Sequence, residues 1–127
     1  MKWRNIPEDI SEYQGFVYQI RHKETGRYYI GRKYFWNKKT LPPLKGRKNK
    51  RHFRVESDWK TYWGSSKKFL EYVKQEGKRN FERAILKCCF TKWDCAYDEL
   101  IFQLESNVLF DEKAFNEIIN VRLRKRK

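Results

Sequence analysis

The sequence lacks the features that would place it in a membrane, in an oxidising compartment or around a structural zinc ion. No apolar run approaches the roughly 20 residues that a bilayer-crossing helix needs, and the opening Met-Lys-Trp-Arg-Asn-Ile-Pro has no apolar signal core. A soluble, cytoplasmic protein without a membrane partner is the expectation. Cys88, Cys89 and Cys95 make an odd set with two adjacent members, so a disulfide framework is not expected and free thiols in a reducing compartment are. His22 and His52 are the only histidines, which leaves no zinc-ligand spacing. The chain also lacks a dense Asp/Glu cluster of the kind that holds two metal ions. Between residues 32 and 54 it has no acidic residue at all.

What is present is positive charge on a folded framework. The 127 residues suffice for one domain, 1–127, with a single modest core. A hydrophobic fraction of 39%, with 17% aromatic, argues against a disordered basic tail. The formal charge of +14 and the pI near 9.8 oppose compaction by self-repulsion, and the usual reason for such an excess is a polyanionic partner. DNA or RNA is the first expectation and an anionic membrane surface the weaker one.

The chain is organised around residues 15–33, where two short aromatic and β-branched runs flank a polar turn containing Gly26. This pattern predicts a β-hairpin. Alternation puts Tyr29, Gly31 and Lys33 on one face of the second run and Tyr28, Ile30 and Arg32 on the other. With Tyr18 on the first of these faces, the hairpin presents two phenols, a cation and a bare glycine patch where a phosphate could approach closely. A phenol with a pKa near 10 is a poor base at neutral pH, so positive charge must favour its phenolate. Lys33 is the nearest candidate and Arg32 a further one.

The hairpin resembles the signature of the GIY-YIG endonuclease family. Phe16-Val17-Tyr18 stands in the place of the first tripeptide, keeping its tyrosine, and Tyr29-Ile30-Gly31 matches the second literally. Gly77 closing a predicted helix, Phe81 opening an apolar run, Glu99 early in another helix and Asn116 near the end follow the family's order, so that the resemblance covers roughly residues 14 to 120. It implies an α+β fold, a three-stranded antiparallel sheet flanked by helices. It also implies hydrolysis of phosphodiesters in duplex DNA, by nicking or double-strand cleavage, in a phage or mobile-element setting. Glu99 would then be the ligand of one Mg²⁺ or Mn²⁺, with Asp98 the neighbouring competitor, while Tyr18 and Tyr29 orient or deprotonate the attacking water. The family's arginine, in a helix soon after the second tripeptide, has no direct counterpart here. Lys39 falls eight residues after Gly31, and Arg54 or Arg32 is left to supply the charge. Asn116 would hydrogen-bond near the scissile phosphate or, alternatively, cap a helix or turn.

Around this signature, residues 32–58 read as a long basic loop, because Pro42 and Pro43 break any helix there. Lys45, Arg47, Lys48, Lys50 and Arg51 are its expected phosphate contacts, with Tyr34, Phe35, Trp36, His52 and Phe53 interleaved for stacking. Trp59, Tyr62 and Trp63 are expected to pack in the interior, and the run Trp59 to Ser66 resembles a phage subgroup of the family. Ser65 or Ser66 should cap a helix that ends at Gly77 and carries Phe69, Leu70 and Val73 as its apolar stripe. These two hydroxyls, with Lys67 and Lys68, would equally suit a phosphate. Residues 80–90 suit a buried strand. Trp93 to Val108 reads as a helix with a core stripe of Tyr97, Leu100, Ile101, Leu104 and Val108, leaving Glu99 off that stripe. Between Asp94 and Glu117 the charge turns acidic, and the tail 121–127 turns basic again as a phosphate clamp. No segment reads as a separate DNA-binding domain, so specificity falls to the loop, the tail or a homodimer. Charge and aromatics alone would also suit a non-catalytic nucleic-acid binder, or a binder of an acidic protein.

Overall fold

A computed structural model describes residues 2–126. The hairpin forms as its alternation predicts: β1 (Gly15–His22) pairs antiparallel with β2 (Tyr28–Tyr34), with Tyr18 opposite Gly31. The run beginning at Phe81 supplies β5 (Phe81–Cys89), which pairs antiparallel with the other side of β1, so the sheet order is β2-β1-β5. A register shift between Val17 and Tyr18 lets one extra β5 residue pass there.

Both faces of this sheet are covered. One carries Phe16, Tyr18 and Ile20, packed with Trp3, Phe35, Trp59, Trp63 and the helix α1 (Lys67–Glu76) through Phe69 and Val73. Ser66 caps α1 by accepting from the Phe69 amide at 3.3 Å, and Gly77, at φ 91°, ends it in a conformation that glycine tolerates. Leu70, expected in the stripe, points outward. The opposite face carries Val17, Ile30 and Cys89 against the helix α2 (Lys92–Glu105), capped by Thr91. The cysteines are free thiols, two of them buried.

Two expectations are corrected. In α2 the predicted stripe holds in part: Val108 is buried in the core and Leu100 and Ile101 are half-buried, but the rest turns away from the sheet. Tyr97 and Leu104 are exposed, and the inward side is built from Cys95, Phe102, Gln103 and the half-buried Glu99. Polar residues take that side because the sheet offers them partners: Gln103 donates to the Ile30 carbonyl and Glu99 meets Arg32. The segment 32–58, in turn, is no continuous loop. Its flanks form a second, two-stranded antiparallel sheet, β3 (Trp36–Leu41) with β4 (Arg51–Glu56), which leaves the prolines at the tip, where neither owes a ladder hydrogen bond.

β2 is an edge strand, and its outer backbone groups are matched one after another by the chain's own C-terminal third. Tyr28 exchanges backbone hydrogen bonds with Lys113 and Phe115, and the Ile30 amide and carbonyl are both engaged by the side chain of Asn116. The Arg32 amide donates to Glu99. Covering an edge in this way blocks strand addition by another chain. Among the described residues, no helix is long and apolar enough to cross a membrane.

Candidate active site

Wrapping around the Glu99 end of that covered edge is a pocket of about 260 Å³ lined by Tyr18, Tyr29, Gly31, Arg32, Ser65, Glu99 and Asn120. The phenols and Gly31 enter from the α1 face of the sheet, whereas Arg32 and Glu99 enter from the α2 face. The strand alternation that separates Tyr29 from Arg32 is therefore bridged at the open edge of β2, where one cavity can reach both faces.

Tyr18 is 1% exposed and packed against Trp3, Phe16, Tyr29 and Tyr62. A Cβ at Gly31 would lie 2.6 Å from its phenol oxygen, and one at Gly64 would lie 3.4 Å away. The glycine is thus needed for a different reason from the one its place in the strand implied. The bare patch accommodates the Tyr18 ring, not an approaching phosphate. Gly64, at φ 100°, is a second glycine beside this phenol that sequence reasoning passed over. Tyr29 stacks on Phe69 and has the Ser65 hydroxyl as a hydrogen-bond partner that favours its phenolate. The two serines therefore divide their roles: Ser66 caps the helix and Ser65 serves the pocket.

The charge expected to activate the phenols is directed elsewhere. Lys33 sits 2.7 Å from Asp58 and 4.1 Å over the Tyr62 ring. Burial pushes the Tyr18 phenol well above its ordinary range, reinforced by Tyr62 and Tyr29, and burial also raises Tyr29. Both are neutral hydroxyls at physiological pH. Tyr28 is likewise raised to about 12 by burial and by its hydrogen bond to Asp111, 2.7 Å away. All three folded pKa values exceed the ordinary value near 10, so the native state keeps protons that the unfolded chain releases. The tyrosines' share of stability is accordingly full below about pH 10 and is lost as pH rises toward about 12. Burial raises the Cys88 thiol as well, and Cys95 with burial raises Cys89, so urea midpoints should begin to fall as pH passes the ordinary thiol range of about 8.5 and fall further beyond about pH 10. Tyrosinate absorbance at 295 nm should rise late for the three tyrosines, and coincident titration of every tyrosine at its ordinary value would contradict the assignment.

Glu99 accepts from the Arg32 guanidinium at 2.9 Å and from the Arg32 amide, with its side chain 19% exposed. Desolvation still outweighs these contacts and raises its pKa. A carboxylate left under-compensated beside an arginine has room for further positive charge, and with the phenols and Asn120 around it the donor set is hard oxygen. That fits one Mg²⁺-like ion which keeps most of its water. Among the described residues no group of three or more His, Cys, Asp or Glu could enclose a metal. Asp98 is not in the pocket; it pairs with Lys87 at 3.2 Å and accepts from Cys89.

Other expected site residues lie apart. Arg54 stacks on Trp36 at 4.1 Å and donates to the Ser11 carbonyl, holding down the base of the β3–β4 hairpin and leaving Arg32 as the arginine in the pocket. Asn116 is buried with both amide atoms engaged by Ile30, which makes it a staple on the strand edge. Asn120, four residues later, lines the pocket instead; the repeated asparagine in Asn116-Glu-Ile-Ile-Asn120 was the only signal for it. Lys45, Arg47, Lys48, Lys50 and Arg51 are exposed at the end of the hairpin. The tail is less free than a phosphate clamp requires: the Arg124 carbonyl accepts from Trp93, and Arg126 lies over that ring and pairs with Asp94 at 3.1 Å. Lys127 lies outside the described residues.

The family model described as "Putative endonuclease segE, GIY-YIG domain" matches residues 2–119. No curated protein and no solved structure matches significantly. The match spans nearly the whole chain and contains both tyrosines, Gly31, Arg32 and Glu99, the residues that the fold gathers at the edge of β2. The chain belongs to the GIY-YIG endonuclease family.

Proposed function

We propose that this chain is a divalent-metal-dependent endonuclease that hydrolyses phosphodiesters in duplex DNA. The observation that carries the reading is the single pocket in which one buried and one half-buried phenol, an arginine and one under-compensated carboxylate meet across a strand edge. Glu99, aided by the hydroxyl and amide oxygens around it, would hold Mg²⁺ or Mn²⁺. When bound, such an ion supplies charge neutralisation to the phosphate and the departing oxygen. Arg32 supplies a second, fixed positive charge for the phosphoryl oxygens. Tyr29, supported by Ser65, and Tyr18, clamped between two glycines, orient the attacking water. As neutral phenols they donate and accept hydrogen bonds and do not strip its proton outright. Lys45, Lys48 and their neighbours would hold the flanking phosphates. The setting proposed for it is a phage or other mobile element acting in a host cytoplasm.

The direct test is relaxation and linearisation of supercoiled plasmid in Mg²⁺, with EDTA as the blank. Wild type should cut, and Tyr18→Phe should lower the rate about 10²-fold, within the usual range for a positioned proton-handling group. Equal rates for the two proteins would remove Tyr18 from the mechanism. A wild type that binds DNA in a salt-dependent manner yet never cuts it would favour a non-catalytic binder.

A further inference from the structure

Apart from Trp36 at its base, which packs against the core on the α1 side of the sheet, the β3–β4 hairpin stands outside both cores, and it carries eight Lys and Arg and no Asp or Glu between residues 36 and 55. An isolated two-stranded ribbon is marginal in water by itself, and this one adds the mutual repulsion of its own cations. Its base is fastened, however. The Trp36 indole donates to the Ile10 carbonyl, Gln14 donates to the Trp36 carbonyl, and Arg54 spans Trp36 and Ser11. A stiffly mounted, cationic, solvent-exposed ribbon is built to be covered by something anionic.

The two faces of the ribbon differ. Cross-strand pairing puts Lys38 with Arg54 and Thr40 with His52 on one face, where Arg54 is held in the anchor and Thr40 and His52 bond each other at 3.2 Å. On the other face lie Asn37 opposite Val55, Lys39 opposite Phe53 and Leu41 opposite Arg51. Asn37, Lys39 and Phe53 are exposed. Among the described residues no side-chain hydrogen bond or ion pair engages Asn37 or Lys39, while Arg51 donates to the Pro42 carbonyl at 3.2 Å. Asn37 also shares a depression with Arg32, Lys33 and Tyr34, and Arg32 lines the candidate catalytic pocket. The face that bears Asn37 and Lys39 therefore runs on from that pocket.

The geometry points to this face as a sequence-reading arm that enters the major groove of the duplex beside the cleavage point, with Asn37, Lys39 and Arg51 directed at base edges. Strands about 4.8 Å apart, with side chains added, fit the roughly 12 Å major groove and are too wide for the roughly 6 Å minor groove. Same-face residues recur about every 6.8 Å along a strand, or about two base pairs. Arg and Lys pair with the O6 and N7 acceptors of guanine and Asn with adenine, which is the donor set this face offers. The tip cations Lys45, Arg47, Lys48 and Lys50, by contrast, hold phosphates and carry no sequence information.

This inference rests on the nuclease reading for one of its two readouts, the map of cut positions; the other is equilibrium binding. A plasmid-derived duplex of known sequence is prepared with guanine and again with 7-deazaguanine, which lacks the major-groove N7 acceptor. Wild type should cut at preferred positions on the first, and both its affinity and its preference should drop on the second, the affinity by about tenfold. Lys39→Gln/Arg51→Gln should spread the cuts over many positions at low salt and bind both duplexes alike. The charge-matched Lys45→Gln/Lys48→Gln should keep the wild-type cut map while its log-log salt slope falls by about 2. The arm reading is overturned if wild type treats the two duplexes identically, or if the Lys39/Arg51 variant keeps the wild-type map and discrimination. Discrimination between the duplexes by a wild type that cuts neither supports the arm and removes the nuclease reading. Efficient cutting without discrimination does the reverse.

Discussion

Replacing Glu99 with glutamine is expected to abolish metal-dependent cleavage, by about 10³-fold or more, while leaving the fold as stable as wild type to within about 1 kcal/mol. The two halves of this result have one cause. Among the described residues Glu99 is the only carboxylate lining the pocket, so its charge is what could retain a divalent ion there. Yet that charge costs more in desolvation than Arg32 returns, which is why its carboxyl is raised despite a guanidinium 2.9 Å away. Glutamine keeps the shape and an acceptor for Arg32 and removes the desolvated charge. Arg32, 34% exposed, can turn to water. Plasmid cleavage over a Mg²⁺ titration, with thermal melting of the same preparations, checks both halves. Asp98→Asn is the neighbouring control and should cut at the wild-type rate, since Asp98 faces Lys87 and Cys89. Wild-type cleavage by the Glu99 variant would leave the site without its carboxylate role.

Gly31→Ala should damage stability and activity together. The added methyl would stand 2.6 Å from the Tyr18 phenol oxygen and 2.8 Å from the ring carbon bearing it. Rings on several sides hold Tyr18 in place, and Gly64 approaches the same oxygen from another side. With no free direction, either the phenol or β2 must shift. Overpacking of this kind costs about 1–3 kcal/mol, which at this size lowers Tm by about 4–10 °C. A displacement of about 1 Å at a positioning group costs about 10²-fold in rate. Melting curves and single-turnover cleavage on the same preparation measure the two effects. A stable, fully active alanine variant would mean that the phenol can relocate without consequence for the reaction.

Much of this architecture could be read from local pattern. The hairpin rests on period-two alternation around Gly26, α1 on Ser66 and Gly77, and β5 on the apolar run from Phe81, and each of these signals lies within a few residues of what it specifies. The pairing of Tyr18 and Tyr29 with Glu99 came from the family order, and the pocket gathers all three. Where polarity was the guide it failed in an instructive way. In α2 the apolar residues Tyr97 and Leu104 face water, while Glu99 and Gln103 face the sheet, because an edge strand leaves amides and carbonyls that only polar side chains can satisfy. The β3–β4 ribbon was hidden for the complementary reason. Its strands are charged on both faces and, Trp36 at the base apart, contribute to no core, so no alternation marks them.

The sequence by itself determined which residues could do chemistry: phenols, one isolated carboxylate, an excess of cations, and a glycine where a strand can bear one. Only the tertiary structure decided their assignments. Arg32, and not Arg54, reaches the carboxylate. Asn120 lines the pocket while Asn116 staples the edge, and Lys33 turns to Asp58 and not to a phenol. The physical reason is that a side chain's partner is set by which strand edge and which sheet face converge in space. Here that convergence depends on contacts between residues more than 60 positions apart, such as Arg32 with Glu99, 67 apart, which no local pattern encodes.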